Sequence, residues 1–162
     1  MRARSRTRNA PQSGRSGGSS GAQDPLEDRE QRIAALLEEA VERLEPQLAG
    51  AEIGALLQVG VAFRHVAHAG SFRLIYEVPH ERGGVVWRAA ERGEVQLVED
   101  VRSDPDYLAS DERVRSEIAA PVKWLGEVVA VLDIEFPDRV FTAAEADAVR
   151  AECRRLEREL ES

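Results

Sequence analysis

The stretch V-E-D-V-R-S-D-P-D-Y-L-A-S-D-E-R-V-R-S-E-I-A-A-P-V-K-W-L-G-E-V-V-A-V-L-D-I-E-F, Val98 to Phe136, decides the fold. Within it, two short runs rich in β-branched residues, Ile118–Leu125 and Val128–Phe136, flank Gly126-Glu127. Such runs around a glycine-containing break read as a β-hairpin. Ahead of them, Arg102–Arg115 is polar and irregular, and Asp104-Pro105 is turn chemistry. A loop therefore delivers the chain to Ser116-Glu117, and two neighbouring strands follow. Successive strand side chains point to opposite faces. Ala130, Leu132 and Ile134 share one face; Val131, Asp133 and Glu135 share the other. A face with two carboxylates either meets water or lines a polar pocket. Glu117 opens the partner strand, so hairpin pairing brings a third carboxylate to that side, near the Asp104–Tyr107 loop.

Upstream, Asp24-Pro25 opens a helix with acids in its first turn, as the helix dipole favours. Ile33, Leu37, Ala40 and Leu44 recur at helical spacing, and Pro46 stops the pattern near Glu45. This predicts an amphipathic helix over residues 26–45. Ala51–Val78 reads as two or three strands broken at Gly60 and Gly70-Ser71. On a regular strand Val61, Phe63 and His65 share a face, while His65 and His68 lie on opposite faces, which is poor metal-ligand geometry. Pro79–Gly84 is a turn, Val85–Ala90 a short helix with a glycine stop at Gly93, and Val95–Val98 a strand ending at Asp100. Downstream, Thr142-Ala-Ala-Glu145 fits a capping box opening a helix over residues 142–160. Val149, Cys153, Leu156 and Leu160 form its stripe, which places Cys153 as a small core hydrophobe rather than a nucleophile. Strands outnumber helices and hairpins make them antiparallel, so the fold class is α+β.

Composition narrows the function. Residues 1–23 hold five arginines and no acid, leaving 17 basic and 30 acidic residues, a balance of −13, in the rest of the chain. An acidic body argues against nucleic acid as a partner. The Arg/Ser/Gly-rich segment 1–23 offers no core and reads as a disordered tail, leaving 24–162 as one domain. No apolar run is long enough for a membrane span, and no apolar h-region follows the basic N-terminus. With one cysteine there is neither an intramolecular disulfide nor a cysteine metal cluster, consistent with a reducing, cytoplasmic setting. Phosphate-binding glycine loops and the G-x-S-x-G elbow are both missing.

The order Asp100-Val101, Asp104 to Tyr107, Ser116 to Val122 and Gly126 to Glu135 resembles a GAF domain over roughly residues 50–160. Within that superfamily it is most similar to the free methionine-(R)-sulfoxide reductases. Where those enzymes carry H-I-A-C-D and G-V-C-G, this chain has Tyr107-Leu108-Ala109-Ser110-Asp111 and Gly84-Val85-Val86-Trp87. Ser110 and Val86 thus replace both cysteines. The resemblance places the family's substrate-binding carboxylates on Glu117, Asp133 and Glu135, and makes Trp87 a candidate ligand wall, although a core tryptophan reads equally well. It implies a central six-stranded antiparallel sheet, the terminal helices on one face and the ligand loops on the other. Neither the asparagine–lysine–phenylalanine signature of cyclic-nucleotide GAF domains nor a pocket cysteine for a bilin is present. The candidate ligand-binding set is Trp87, Asp100, Tyr107, Ser110, Glu117, Asp133 and Glu135. These lead to the expectation of a non-enzymatic sensor domain for a small cationic or amino-acid-like molecule, with no cofactor and no metal. The alternatives are a reductase, disfavoured without thiols, and a ligand-free dimerisation module. Apolar stripes on both terminal helices suggest a homodimer.

Overall fold

The computed structural model describes residues 25–162; the tail expected over residues 1–23 lies outside them. Helix α1 (Pro25–Leu44) leads through a short 3-10 turn containing Pro46 into strands β1 (Glu52–Val59), β2 (Ala62–Ala69) and β3 (Glu77–Pro79). Helix α2 (Val85–Arg92), strand β4 (Gln96–Val98), strands β5 (Val114–Trp124) and β6 (Glu127–Pro137) and helix α3 (Ala143–Glu161) follow. Every strand pairing is antiparallel, and the six strands lie in the order β3-β2-β1-β6-β5-β4. The fold is α+β, as the order of elements predicts.

Binary patterning divides the molecule into two layers of core. Ile33, Leu37, Ala40, Val41 and Leu44 of α1 and Val149, Cys153, Leu156 and Leu160 of α3 pack with Ala130, Leu132 and Ile134 of β6 on one face of the sheet. The stripes of both terminal helices are therefore buried within the domain itself. Arg43 of α1 pairs with the buried Glu152 of α3 at 2.8 Å and ties the two helices together. Helix α3 starts at a capping box, in which Thr142 accepts from the Glu145 backbone and Glu145 accepts from the Thr142 backbone. On the opposite face, α2 packs Val85, Val86, Trp87 and Ala89 against Leu56, Phe63, Ala119 and Val131.

Three local details differ from the sequence reading. Strand β5 begins at Val114, so the irregular segment ends at Arg113, two residues earlier than Arg115. Val61 is not a strand residue: it sits in the β1–β2 turn, 76% exposed. Strand β2 also carries a β-bulge. Ala55 pairs with Ala67 and Leu56 with His65, leaving Val66 as the extra residue. Val66 and Ala67 both pack toward the helices. The alternation is thereby reset, and His65 and His68 come out on the same face rather than on opposite ones.

Candidate functional site

On the sheet face away from α1 and α3 lies a cavity of about 90 Å³. At roughly 10–15 Å³ for one water, it holds several waters or one compact organic molecule. Strand register lays out its floor. Glu52 of β1, Glu135 of β6 and Glu117 of β5 stand side by side in one row across three adjacent strands. His68, Gly54, Asp133 and Ala119 form the next row, and His65, Leu56, Val131 and Pro121 the third. Like charges directly opposite each other weaken a sheet. A row of three glutamates backed by an aspartate is therefore a cost to the fold.

The four acids are not equivalent. Burial would raise the Glu52 carboxyl, but backbone N–H groups of Ser71 and Phe72 donate to it at 2.8 and 2.9 Å, Ser71 Oγ adds a third bond and His68 lies alongside, and the net result is a lowered pKa. Glu52 is the ionised anchor of the β2–β3 loop. The other three are pushed the opposite way. Burial, then the charge of Asp133, lifts Glu117 well above the carboxylate range. Burial lifts Asp133 to about 6, against a hydrogen bond with Glu117 that lowers it. Burial and the Asp133 charge lift Glu135 to about 8, although Ser110 Oγ donates to it at 2.7 Å. Asp133 Oδ1 is buried without a hydrogen-bond partner.

Three segments wall the cavity. The β2–β3 loop contributes Phe72, Arg73 and Ile75. It leaves β2 at Gly70, whose φ is +139°; a Cβ there would come within 2.0 Å of Glu52 Oε2. Second, Arg82, Gly83 and Gly84 lead into α2, whose first residues Val85 and Val86 face the cavity with no side-chain cap at the helix start. The third wall is the loop between β4 and β5, which carries Leu108 and Ser110. Arg88 of α2 holds this loop down: it binds Asp104 in a two-pronged pair at 2.9 and 2.7 Å, reaches Asp106 at 2.7 Å, and donates to Gln96 at 3.0 Å. Its hydrogen bonds hold the Asp104 carboxyl below the usual range against the effect of burial.

Of the candidate residues, Ser110, Glu117, Asp133 and Glu135 line this cavity. Tyr107 is not among the lining residues; it packs with the second core, its hydroxyl buried without a hydrogen-bond partner, and burial and the charges of Glu135 and Glu117 push its pKa up. Trp87 does not wall the cavity. It is 6% exposed, stacks edge-on with Phe63 and His80, and donates its indole N–H to Val78 O at 3.0 Å. It is a core residue, because its N–H finds a carbonyl on β3. Asp100 is likewise outside: it caps the 3-10 turn at Val101–Ser103 and pairs with Arg102 and Arg115. Glu52, His65, His68, Arg73 and Arg82 also line the cavity and were missed by the sequence reading. Among the described residues no cluster of His, Cys, Asp and Glu has metal-binding geometry, and no helix is long and apolar enough to cross a membrane.

The chain belongs to the GAF domain family, whose model matches residues 32–160. A stretch of 60 residues is 40% identical to Protein YtsP of Bacillus subtilis. The match spans 37% of this chain and about a third of that relative, 36% of its length. A type II free methionine-R-sulfoxide reductase from Thermoplasma acidophilum superposes with a TM-score of 0.70 at 20% identity, covering 83% of this chain and 96% of that one. Residues 122 to 287 of a methyl-accepting chemotaxis protein superpose with a TM-score of 0.69 at 18% identity, covering 84% and 94%. At such identities the likeness is one of fold. The two positions at which the reductase resemblance places cysteines, Val86 and Ser110, both line the cavity.

Proposed function

We propose that this domain binds a small cationic or amino-acid-like molecule over Glu117, Asp133 and Glu135 without transforming it, and acts as a sensor or regulatory module. One observation carries the reading: three buried carboxyls crowd one cavity floor, and Asp133 Oδ1 has no partner there. A bound cation supplies both the missing charge and the missing donors, and charge-assisted hydrogen bonds are the strong kind. Binding without turnover is supported by where the thiol lies. Sulfoxide reduction by cysteine needs a thiolate at the substrate. Cys153 packs among the helices on the far side of the sheet, 5% exposed. Burial, then the charges of Glu157 and Glu152, pushes that thiol up to about 12. A thermal-shift screen against amino acids, their oxidised forms, polyamines and nucleotides tests the proposal, because a ligand that binds only the folded state stabilises it. Amines and amino acids should raise the melting temperature of the wild type and not of Asp133→Asn. Stabilisation by nucleotides alone would refute it.

A further inference from the structure

The bulge at Val66 brings to the cavity a group that the acid floor does not explain. His65 Nδ1 lies 2.6 Å from Ile75 O, and a carbonyl only accepts, so Nδ1 carries the hydrogen. Burial lowers the His65 pKa, the Ile75 bond opposes this and His68 adds to it, and the net direction is down. The ring is neutral at pH 7, and Nε2 is a bare acceptor with no hydrogen-bond partner among the described residues. Glycine at position 54 permits its placement: a Cβ there would stand 3.0 Å from His65 Nε2 and 3.4 Å from Asp133 O. The imidazole edge thus lies down over β1, beside the strand that carries Asp133.

We propose that His65 Nε2 is a ligand acceptor of this cavity and that, together with Asp133 and Glu135, it selects a primary ammonium group over a quaternary one. The inference rests on the cation reading above and narrows it. A lone pair and carboxylate oxygens can all be satisfied by one –NH₃⁺ group, which offers three donors. A quaternary ammonium offers none and relies on aromatic faces instead. Phe72 is the one carbocyclic ring among the residues lining the cavity. The charged and titratable groups that share the cavity with His65 are Glu52, Glu117, Asp133 and Glu135 from β1, β5 and β6, His68 from β2, and Arg73 and Arg82 from the loops. Acidification protonates the carboxylates and the ring, converting acceptors to donors, so ammonium binding weakens as pH falls.

The test is an NMR titration of the full chain at pH 8 with butylammonium and with N,N,N-trimethylbutylammonium. Wild type should bind the primary amine at least tenfold more tightly, with the His65 Nε2 resonance moving. His65→Phe should lose at least tenfold for butylammonium and nothing for the trimethyl salt. Gly54→Ala, which crowds Nε2, should weaken butylammonium in the same direction and carries the test alone if His65→Phe does not fold. If His65→Phe keeps wild-type affinity while Asp133→Asn loses it, the role of His65 falls and the cation reading stands. Equal losses for both salts in His65→Phe would also overturn the inference. If neither salt binds wild type, both readings fall.

Discussion

Replacing Asp133 with Asn keeps the shape of the side chain and removes one charge from the cavity floor. In the fold this carboxyl ionises at about 6 rather than at 3.8. At about 1.36 kcal/mol per pH unit, ionising it in the folded protein costs about 3 kcal/mol more than in the open chain. The sign follows from a raised folded pKa. The stabilisation is fully present below pH 3.8 and is lost as pH rises through about 6. Glu135 extends the loss toward about 8. Asn has no proton to release, so its contribution is flat with pH, and it also removes a charge that lifts Glu117 and Glu135. Ligand-free melting curves at pH 4.5, 6 and 8 make the comparison. The variant should exceed wild type by about 1 kcal/mol at pH 4.5 and by up to about 3 kcal/mol at pH 8, roughly 6–12 °C for a domain of this size. A variant that melts below wild type at pH 8 would show that the Asp133 carboxylate is a structural acceptor, and the reasoning would fail.

Other outcomes follow from individual contacts. Arg88→Met strands Asp104 and Asp106 and should lower stability by about 2–3 kcal/mol, with faster proteolysis between residues 99 and 113 as the readout. Gly70→Ala places a Cβ against Glu52 at a φ of +139° and should cost more than about 1 kcal/mol in chemical denaturation. Purified protein should show no thiol-dependent turnover of free methionine sulfoxide, because the residues facing the cavity at the two cysteine positions are Ser110 and Val86. A homodimer through the outer faces of α1 and α3 is proposed, so light scattering at micromolar concentration should give about twice the 17.9 kDa chain mass; a monomer would refute it.

The parts of this fold that sequence discloses are those whose cause is local. The β5–β6 hairpin follows from alternation, and the start of α3 from Thr142 and Glu145 meeting within one turn. The three carboxylates were legible because Glu117 and Glu135 are direct partners in that hairpin. What stayed hidden depends on partners distant in sequence. His65 and His68 share a face because β2 bulges against β1, which no residue of the segment announces. Glu52 is a site residue because the loop at Ser71-Phe72 folds back onto it. Trp87 left the ligand set for a reason of the same kind: the carbonyl that takes its N–H belongs to Val78. Only the small residue at Gly54, inside an otherwise bulky strand, hinted at a close approach.

The charge pattern around the cavity separates a structural acid cluster from one that awaits an outside partner. Four nearby arginines are engaged by aspartates of the β4–β5 loop: Arg88 by Asp104 and Asp106, Arg115 and Arg102 by Asp100, Arg113 by Asp111, while Arg73 and Arg82 line the cavity walls. Among the described residues no lysine or arginine forms an ion pair with Glu117, Asp133 or Glu135. The same loop that closes the cavity thus keeps those four cations off its floor. Buried charges in proteins are ordinarily paired, because an unpaired one is costly. Here the acids relieve themselves by holding protons, as the raised Asp133 and Glu135 carboxyls show. A proton is a labile counterion, and in the proposed function a cation of the right shape displaces it. On that proposal the stability forgone in the empty protein is recovered as binding energy, and the affinity should depend on pH in the same window as the stability of the fold.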